Sequence, residues 1–262
     1  MRDFIRDHLR ITRDRLTNAS PSTNTMSSSF QVYPPRGYPA GVPSKFDPDG
    51  NVQCFPGNTI VSHLSPTSVM YTSLLDLHAK LAASPLSHLY ALLPPSSWHM
   101  TVFGGVCDTE RHPGHWPSDL PRDLPLEECT AHLGNKLKAF DLGEDARPPY
   151  RLTAQGFTSF DVGIGIHLML RTPDEEARFR RLRDRLSEVL KIRHAQHNRY
   201  ELHLSMAYFL RHLDDTQKEE LGRLLMGHFE TMPKEFDLAA PEFCTFENMF
   251  RFDRLFYLEN RE

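Results

Sequence analysis

The stretch Trp98-His99-Met100-Thr101-Val102-Phe103 decides the fold of this chain, together with a second stretch, Glu201-Leu202-His203-Leu204-Ser205-Met206-Ala207-Tyr208. Both are rich in apolar, β-branched and aromatic residues, which predicts two buried strands. Each contains one histidine followed two residues later by a hydroxyl residue. Because side chains alternate between the two faces of a strand, His99 should share a face with Thr101, and His203 with Ser205.

The two histidine strands occupy matched positions of an internal repeat. A single shift of 104 residues relates His63 to His167, His99 to His203, Thr101 to Ser205, and Ile60 to Ile164. In each copy a strand, a proline-marked helix start and an amphipathic helix precede the histidine strand. This shared order predicts an α+β fold made of two βαβ-like lobes, with the histidine strands side by side across a cleft.

Residues 1–45 differ in composition from the rest of the chain. An arginine-rich amphipathic start is followed by a Ser/Thr/Asn/Pro-rich stretch from Thr17 to Ser29. This predicts an N-terminal extension that is partly disordered or wraps the core. We assign residues 46–262 to one bilobal domain, with lobes at about 46–145 and 146–262. A mitochondrial transit peptide is an alternative for the N-terminus, although Asp3 and Asp7 argue against it.

Composition excludes several classes of protein. The net charge of −4 and the pI near 6.4 argue against a protein that coats long nucleic acid, but allow a nucleotide or RNA end in a local pocket. No apolar run reaches the roughly 18 residues of a membrane span. Four cysteines lie far apart, which predicts a reducing, cytoplasmic compartment. We expect a monomer without an obligate protein partner.

Paired imidazoles and hydroxyls suit acid–base chemistry on a phosphate. A neutral histidine accepts a proton near pH 7 and an imidazolium returns one, so two of them provide a base and an acid. A nearby hydroxyl can donate to a phosphoryl oxygen where negative charge develops. A single His-x-Thr or His-x-Ser tripeptide is a weak signal, and the matched pair is a stronger one.

The segments His99-Met100-Thr101-Val102 and His203-Leu204-Ser205-Met206 resemble the paired H-x-[ST]-x motifs of the two-histidine (2H) phosphoesterase superfamily. Its members include RNA 2′,3′-cyclic phosphodiesterases, bacterial 2′-5′ RNA ligase-like proteins and U6 snRNA-processing exonucleases. The resemblance covers about residues 45–258. It implies a bilobal fold with antiparallel sheets around a central groove, and catalysis without a metal or other cofactor. It also implies that His99 and His203 are the acid–base pair, and that Thr101 and Ser205 hold the phosphate.

The function implied by the resemblance is hydrolysis of a 2′,3′-cyclic phosphate on a nucleotide or RNA end. Two alternatives stay open. One is a 2′-5′ phosphodiesterase or an RNA ligase-like, RNA-end-processing enzyme, and the other is a catalytically silent nucleotide- or RNA-binding module of the same fold. The presence of both histidines and both hydroxyls favours an enzyme.

Further residues are candidates for substrate contacts. Strict alternation places Phe103 on the face of His99, where it would stack on a base, or else it is a core aromatic residue. The same alternation predicts that Tyr208 faces the helices. The remaining candidates, each with a structural role as its alternative, are His63, His167 and Trp98.

Two other patterns receive no catalytic role. Residues 104–125 form a long loop without periodicity, which is typical of lids and binding loops. Its candidate ligands Cys107, His112 and His115 match no strong metal-binding spacing, so we predict no metal. The arginines of the helix that begins at Thr172 are predicted to form its solvent-facing side; they are Arg178, Arg180, Arg181, Arg183 and Arg185.

Overall fold

The fold is a nine-stranded antiparallel sheet with helices packed against it. The computed structural model describes residues 37–143 and 146–259. The strands in these ranges are β1 (Gly57–His63), β2 (Tyr90–Leu92), β3 (His99–Cys107), β4 (Tyr150–Phe157), β5 (Gly163–Leu170), β6 (Leu202–Phe209), β7 (Glu235–Leu238), β8 (Glu242–Asn248) and β9 (Arg251–Tyr257). They run in the order β7-β4-β5-β6-β3-β1-β8-β9, and β2 pairs with β6 beside this path.

Four α-helices lie in the described residues: α1 (Val69–Ala82), α2 (Leu126–Lys138), α3 (Pro173–Leu190) and α4 (Asp215–Thr231). Three of them begin after a side chain that accepts a hydrogen bond from a first-turn amide: Ser68, Thr172 and Asp214. Such caps satisfy amides that have no partner within the helix, which explains the starting points. None of these helices combines the length and the apolar composition needed to cross a membrane.

The main core lies between the helices and one face of the sheet. Apolar side chains of all four helices join it, with the central strands contributing Met100, Val102 and Leu204. These three side chains are completely buried. The face that carries them is therefore closed to ligands, and the opposite face is the one available for a site.

The backbone pairing confirms the duplicated α+β fold. β1 pairs with β3, and β5 pairs with β6, and the two registers are related by the same shift of 104 residues. Corresponding pairs are His63–His99 with His167–His203, and Ile60–Phe103 with Ile164–Ala207. The two halves therefore share their hydrogen-bonding pattern as well as their order of elements.

A β-bulge occurs at the same place in each half. In β3 the extra residue is Val102, because Thr101 and Phe103 pair with adjacent residues of β1. In β6 the extra residue is Met206, again 104 positions later. A bulge adds one residue to one strand and so shifts the alternation of side chains beyond it. Side chains after each bulge lie on the face opposite to the one that strict alternation predicts.

The two halves join at the centre of the sheet, where β3 and β6 are neighbours. Their registered pair is Met100–Leu204, two residues that are themselves related by the shift of 104. Both point into the core, so the residues before and after them point to the opposite face. Those residues are His99, Thr101, His203 and Ser205.

The described residues before β1 pack on that opposite face. Val42 and Phe46 are buried in a second apolar cluster that also contains Phe55, Leu93 and Phe246. Residues 37–45, which belong to the predicted extension, thus contact the domain through Val42. Residues 1–36 lie outside the described residues, and the boundaries of the extension and of the lobes stay predictions.

Candidate active site

One cavity of about 260 Å³ brings together the four residues of the two motifs: His99, Thr101, His203 and Ser205 all line it. Because β3 and β6 are antiparallel and Met100 lies opposite Leu204, Ser205 lies across from His99, and His203 across from Thr101. Each histidine therefore faces the hydroxyl of the other motif. The volume is near the lower end of the usual range for ligand sites, which suits a small molecule or a chain end.

Both histidines are held in the same way. The Nδ1 atom of His99 donates to the carbonyl oxygen of Ser97 at 2.7 Å, and Nδ1 of His203 donates to the carbonyl oxygen of Glu201 at 2.9 Å. A carbonyl oxygen only accepts, so Nδ1 carries the proton in each ring. Nε2 is then the nitrogen that can exchange a proton with a ligand.

The surroundings of His99 keep its imidazole neutral. Its pKa is lowered to about 4, mainly by burial and in part by the neighbouring His63 and His203, against opposing effects of the bond to the Ser97 carbonyl and of the Glu242 carboxylate. The Phe252 ring packs edge-on against His99, with 4.3 Å between ring centroids. At pH 7 His99 is therefore a proton acceptor.

His63 and His167 stand beside the two motif histidines on the adjacent strands. The rings of His63 and His99 are 5.8 Å apart, and Nδ1 of His63 lies 3.0 Å from Oε2 of Glu242. The described lining of the cavity includes neither His63 nor His167. Their place is next to the motif histidines, and direct substrate contacts by either stay a prediction.

Two aromatic residues named from the sequence lie on the helix side of the sheet. The bulge at Val102 turns Phe103 into the core, where it is fully buried, so the prediction that it shares the face of His99 is wrong. Trp98 is 1 % exposed, and its ring packs against Tyr71 and His78 of α1. Neither ring reaches the cavity in this arrangement.

Tyr208 and Lys45 are wall residues that the sequence reasoning missed. The bulge at Met206 turns Tyr208 toward the cavity, which corrects its predicted orientation toward the helices. Lys45 comes from the segment assigned to the extension, and its Nζ atom donates to the Tyr208 hydroxyl at 3.2 Å. A positive charge beside an aromatic hydroxyl thus forms part of the cavity wall.

Arg183 of α3 is buried on the helix side of the sheet, beneath the strand that carries His99. This is contrary to the prediction that it faces solvent. It is 2 % exposed and donates to the carbonyl oxygen of Val102, the bulged residue. Its guanidinium lies 4.1 Å from the centroid of the Tyr200 ring. The Thr101 hydroxyl is near enough to Tyr200 to lower the pKa of its phenol, although burial raises that pKa overall. Arg183 therefore supports both the bulge and the setting of Thr101.

The long loop after β3 contributes Glu110 and His115 to the cavity rim. Trp116 is buried, and its indole nitrogen donates to the Pro121 carbonyl, which anchors the loop. Potential ligand atoms of Glu110, His112 and His115 lie within 4.8 Å of one another, as do those of His63, Glu242 and Cys244. Neither group contains a motif histidine, so the acid–base pair does not depend on them.

Comparison with known proteins agrees with this geometry. Residues 45–159 match the family model 2H-phosphodiest, described as a domain of unknown function (DUF1868). A search of curated proteins found no match. Among solved structures, the conserved protein of unknown function ATU0111 from Agrobacterium tumefaciens str. C58 is 25% identical with a TM-score of 0.77, over 89% of this chain and 97% of that one.

Two further solved structures have lower similarity. TT0787 of Thermus thermophilus is 12% identical with a TM-score of 0.43, over 78% of this chain and 99% of that one. LigT of E. coli, complexed with ATP, is 12% identical with a TM-score of 0.42, over 79% of this chain and 99% of that one.

The fold and the site define a class of protein: a duplicated α+β fold in which two His-x-hydroxyl motifs face one groove. The family match covers the first half, and the second half repeats it in register. The chain is therefore similar to the two-histidine (2H) phosphoesterase superfamily, through the family match over residues 45–159 and through the repeat of the same pairing in its second half.

Proposed function

We propose that this protein is a metal-independent phosphodiesterase that hydrolyses the 2′,3′-cyclic phosphate of a nucleotide or RNA end. The observation that carries the proposal is the matched pair, His99 and His203. Each ring is held through Nδ1 by a backbone carbonyl, and both line the same cavity beside Thr101 and Ser205. This arrangement supports proton transfer at two sides of one phosphate.

The geometry supports a specific division of roles. His99, which is neutral at pH 7, accepts a proton at Nε2 from a water molecule as the water oxygen attacks phosphorus. The bond from phosphorus to one ribose oxygen breaks, and the imidazolium of His203 donates its Nε2 proton to that oxygen. The product is a phosphomonoester with a free hydroxyl, and exchange with solvent restores both histidines.

The hydroxyls act on the phosphate itself. Thr101 and Ser205 donate to its non-bridging oxygens, where negative charge grows in the transition state. The phenol of Tyr200 lies beside Thr101, at the edge of this site. Because the donors are already oriented, little reorganisation is needed during the reaction.

Turnover in the presence of EDTA tests the proposal directly. We expect the wild-type protein to open the 2′,3′-cyclic phosphates of the four common nucleosides with excess EDTA present, because both proton transfers come from side chains. Chromatography of the 2′- and 3′-monophosphates identifies the leaving oxygen. Turnover that vanishes in EDTA and returns with a divalent metal would contradict metal independence, and no turnover of any of the four would contradict the proposed substrate.

The pH profile provides a second test. The base must be neutral, so the acid limb of kcat/KM should appear only as pH decreases through the His99 pKa of about 4. An acid limb near 6.5, the ordinary histidine value, would contradict this assignment of the base.

The pH experiment needs a folding control. The folded state binds fewer protons at His99 than the unfolded state does, so the contribution of this group to stability falls as pH decreases from about 6.5 to 4. Circular dichroism at each pH separates the loss of the fold from the titration of the base.

A further inference from the structure

Lys45 places a positive charge in the wall of the cavity. Its side chain is partly buried, and the described residues offer no carboxylate at ion-pair distance from its Nζ atom. The ammonium lies 4.9 Å from the centroid of the Tyr208 ring and 5.3 Å from that of Phe55. Aromatic rings lower the local dielectric, which strengthens the attraction of such a charge for an anion.

Lys45 stays charged at neutral pH. Burial lowers its pKa, but the Tyr208 hydroxyl, Cys107 and Glu110 together raise it above the ordinary value. Glu110 lines the same cavity, on the loop after β3. The Glu110 carboxylate repels an anion, so an anion bound by Lys45 has to lie away from Glu110.

The position of Tyr208 sets the distance of this charge from the reacting phosphate. Tyr208 follows Ser205 by three residues on β6, and the bulge at Met206 shortens the path between them. At about 3.3 Å per residue the separation along the strand is about 7–10 Å. One sugar can bridge that distance between two phosphates.

We propose that Lys45 and Tyr208 form a second anion subsite, which binds a phosphate at the 5′ position of the sugar whose 2′,3′-cyclic phosphate lies between His99 and His203. This inference rests on the proposed function and names its substrate class: cyclic phosphates that carry a 5′-phosphate group. The Lys45 ammonium and the Tyr208 hydroxyl both donate to the phosphate oxygens. The cationic side chain comes from the segment before β1, outside the duplicated elements.

The first test compares kcat/KM for a nucleoside 2′,3′-cyclic phosphate with and without a 5′-phosphate. We expect wild type to prefer the 5′-phosphorylated substrate about tenfold or more, the usual contribution of a hydrogen bond to a charged group. Lys45→Met should remove the preference, because it lowers kcat/KM for the 5′-phosphorylated substrate about tenfold more than for the unphosphorylated one. Lys80→Met is the matched control, because Lys80 is exposed on α1 and pairs with Asp76.

The second test does not require turnover. Calorimetry measures the Kd of a nucleoside 3′,5′-bisphosphate and of the corresponding 3′-monophosphate for wild type and for Lys45→Met, after a thermal melt has shown that the variant is folded. Wild type should bind the bisphosphate about tenfold more tightly, and Lys45→Met should bind the two alike.

Together the two tests distinguish a failure of the proposed anion subsite from a failure of the proposed hydrolysis. A binding preference that depends on Lys45, without turnover of either cyclic substrate, would support the subsite and overturn the proposed reaction. Turnover without any preference for the 5′-phosphate would support the reaction and overturn the subsite. Equal weakening of both ligands by Lys45→Met would also overturn the subsite.

Discussion

Replacing either motif histidine by alanine is expected to lower kcat/KM for a 2′,3′-cyclic nucleotide by about a hundredfold or more, measured in EDTA. In the proposed mechanism, His99→Ala removes the group that accepts a proton from water, and His203→Ala removes the group that protonates the leaving oxygen. Among the described residues the hydrogen bond of each ring runs from Nδ1 to a backbone carbonyl, so neither substitution leaves a buried side chain without its hydrogen-bond partner. The loss should therefore appear in activity and not in the melting temperature.

His88→Ala is the control for this experiment. His88 lies in the exposed turn before β2, where its ring bonds the carbonyl oxygen of Pro85, and it does not line the cavity. The kcat/KM of the His88→Ala variant should stay within about twofold of the wild-type value. The double variant of His99 and His203 should be about as slow as the slower single variant, because residues that act as a unit are not additive. Retention of a tenth or more of wild-type activity by either single variant would exclude the paired mechanism.

Arg183→Leu is expected to lower the free energy of unfolding by about 2 kcal/mol or more. The buried carbonyl of Val102 loses its donor, which costs about 1–3 kcal/mol. The stacking of the guanidinium on the Tyr200 ring is also lost, at about 1–2 kcal/mol. Relief of burying a charge offsets part of this, since Nε of Arg183 has no partner among the described atoms.

Urea denaturation measures the change, and Arg181→Leu is the matched control. Arg181 is exposed on the same helix, so the same substitution there should alter stability by no more than about 0.5 kcal/mol. Equal effects of the two substitutions would mean that the burial of Arg183 contributes nothing to the bulge. A larger effect of Arg183→Leu would show that this side chain stabilises the bulge of β3 next to Thr101.

Much of the fold could be predicted because its signals are local. The helix starts at Thr172 and Asp214 follow from side chains that bond amides three residues away. The faces of His99 and Thr101 follow from the alternation of an extended strand. The duplication followed from residue spacing, because 104 residues separate both the motifs and the registers in which they pair.

The errors arise where pairing with another strand or segment decides the outcome. Phe103 and Tyr208 were assigned to the wrong faces because each lies beyond a bulge. A bulge is defined by the residues of the partner strand and has no signature in these two sequences. Arg183 was assigned to solvent from the charge of its helix, but the unpaired carbonyl of a bulge and the Tyr200 ring draw it inward.

The sequence by itself therefore determined the two motifs, their shared face and the repeat that relates them, because these depend on neighbouring residues and on spacing along the chain. The tertiary structure alone decided which further side chains line the cavity between the two motifs. Lys45 and Tyr208 meet across 163 residues of chain. Such a contact depends on how the segment before β1 packs against the bulged end of β6, and no local pattern records that packing.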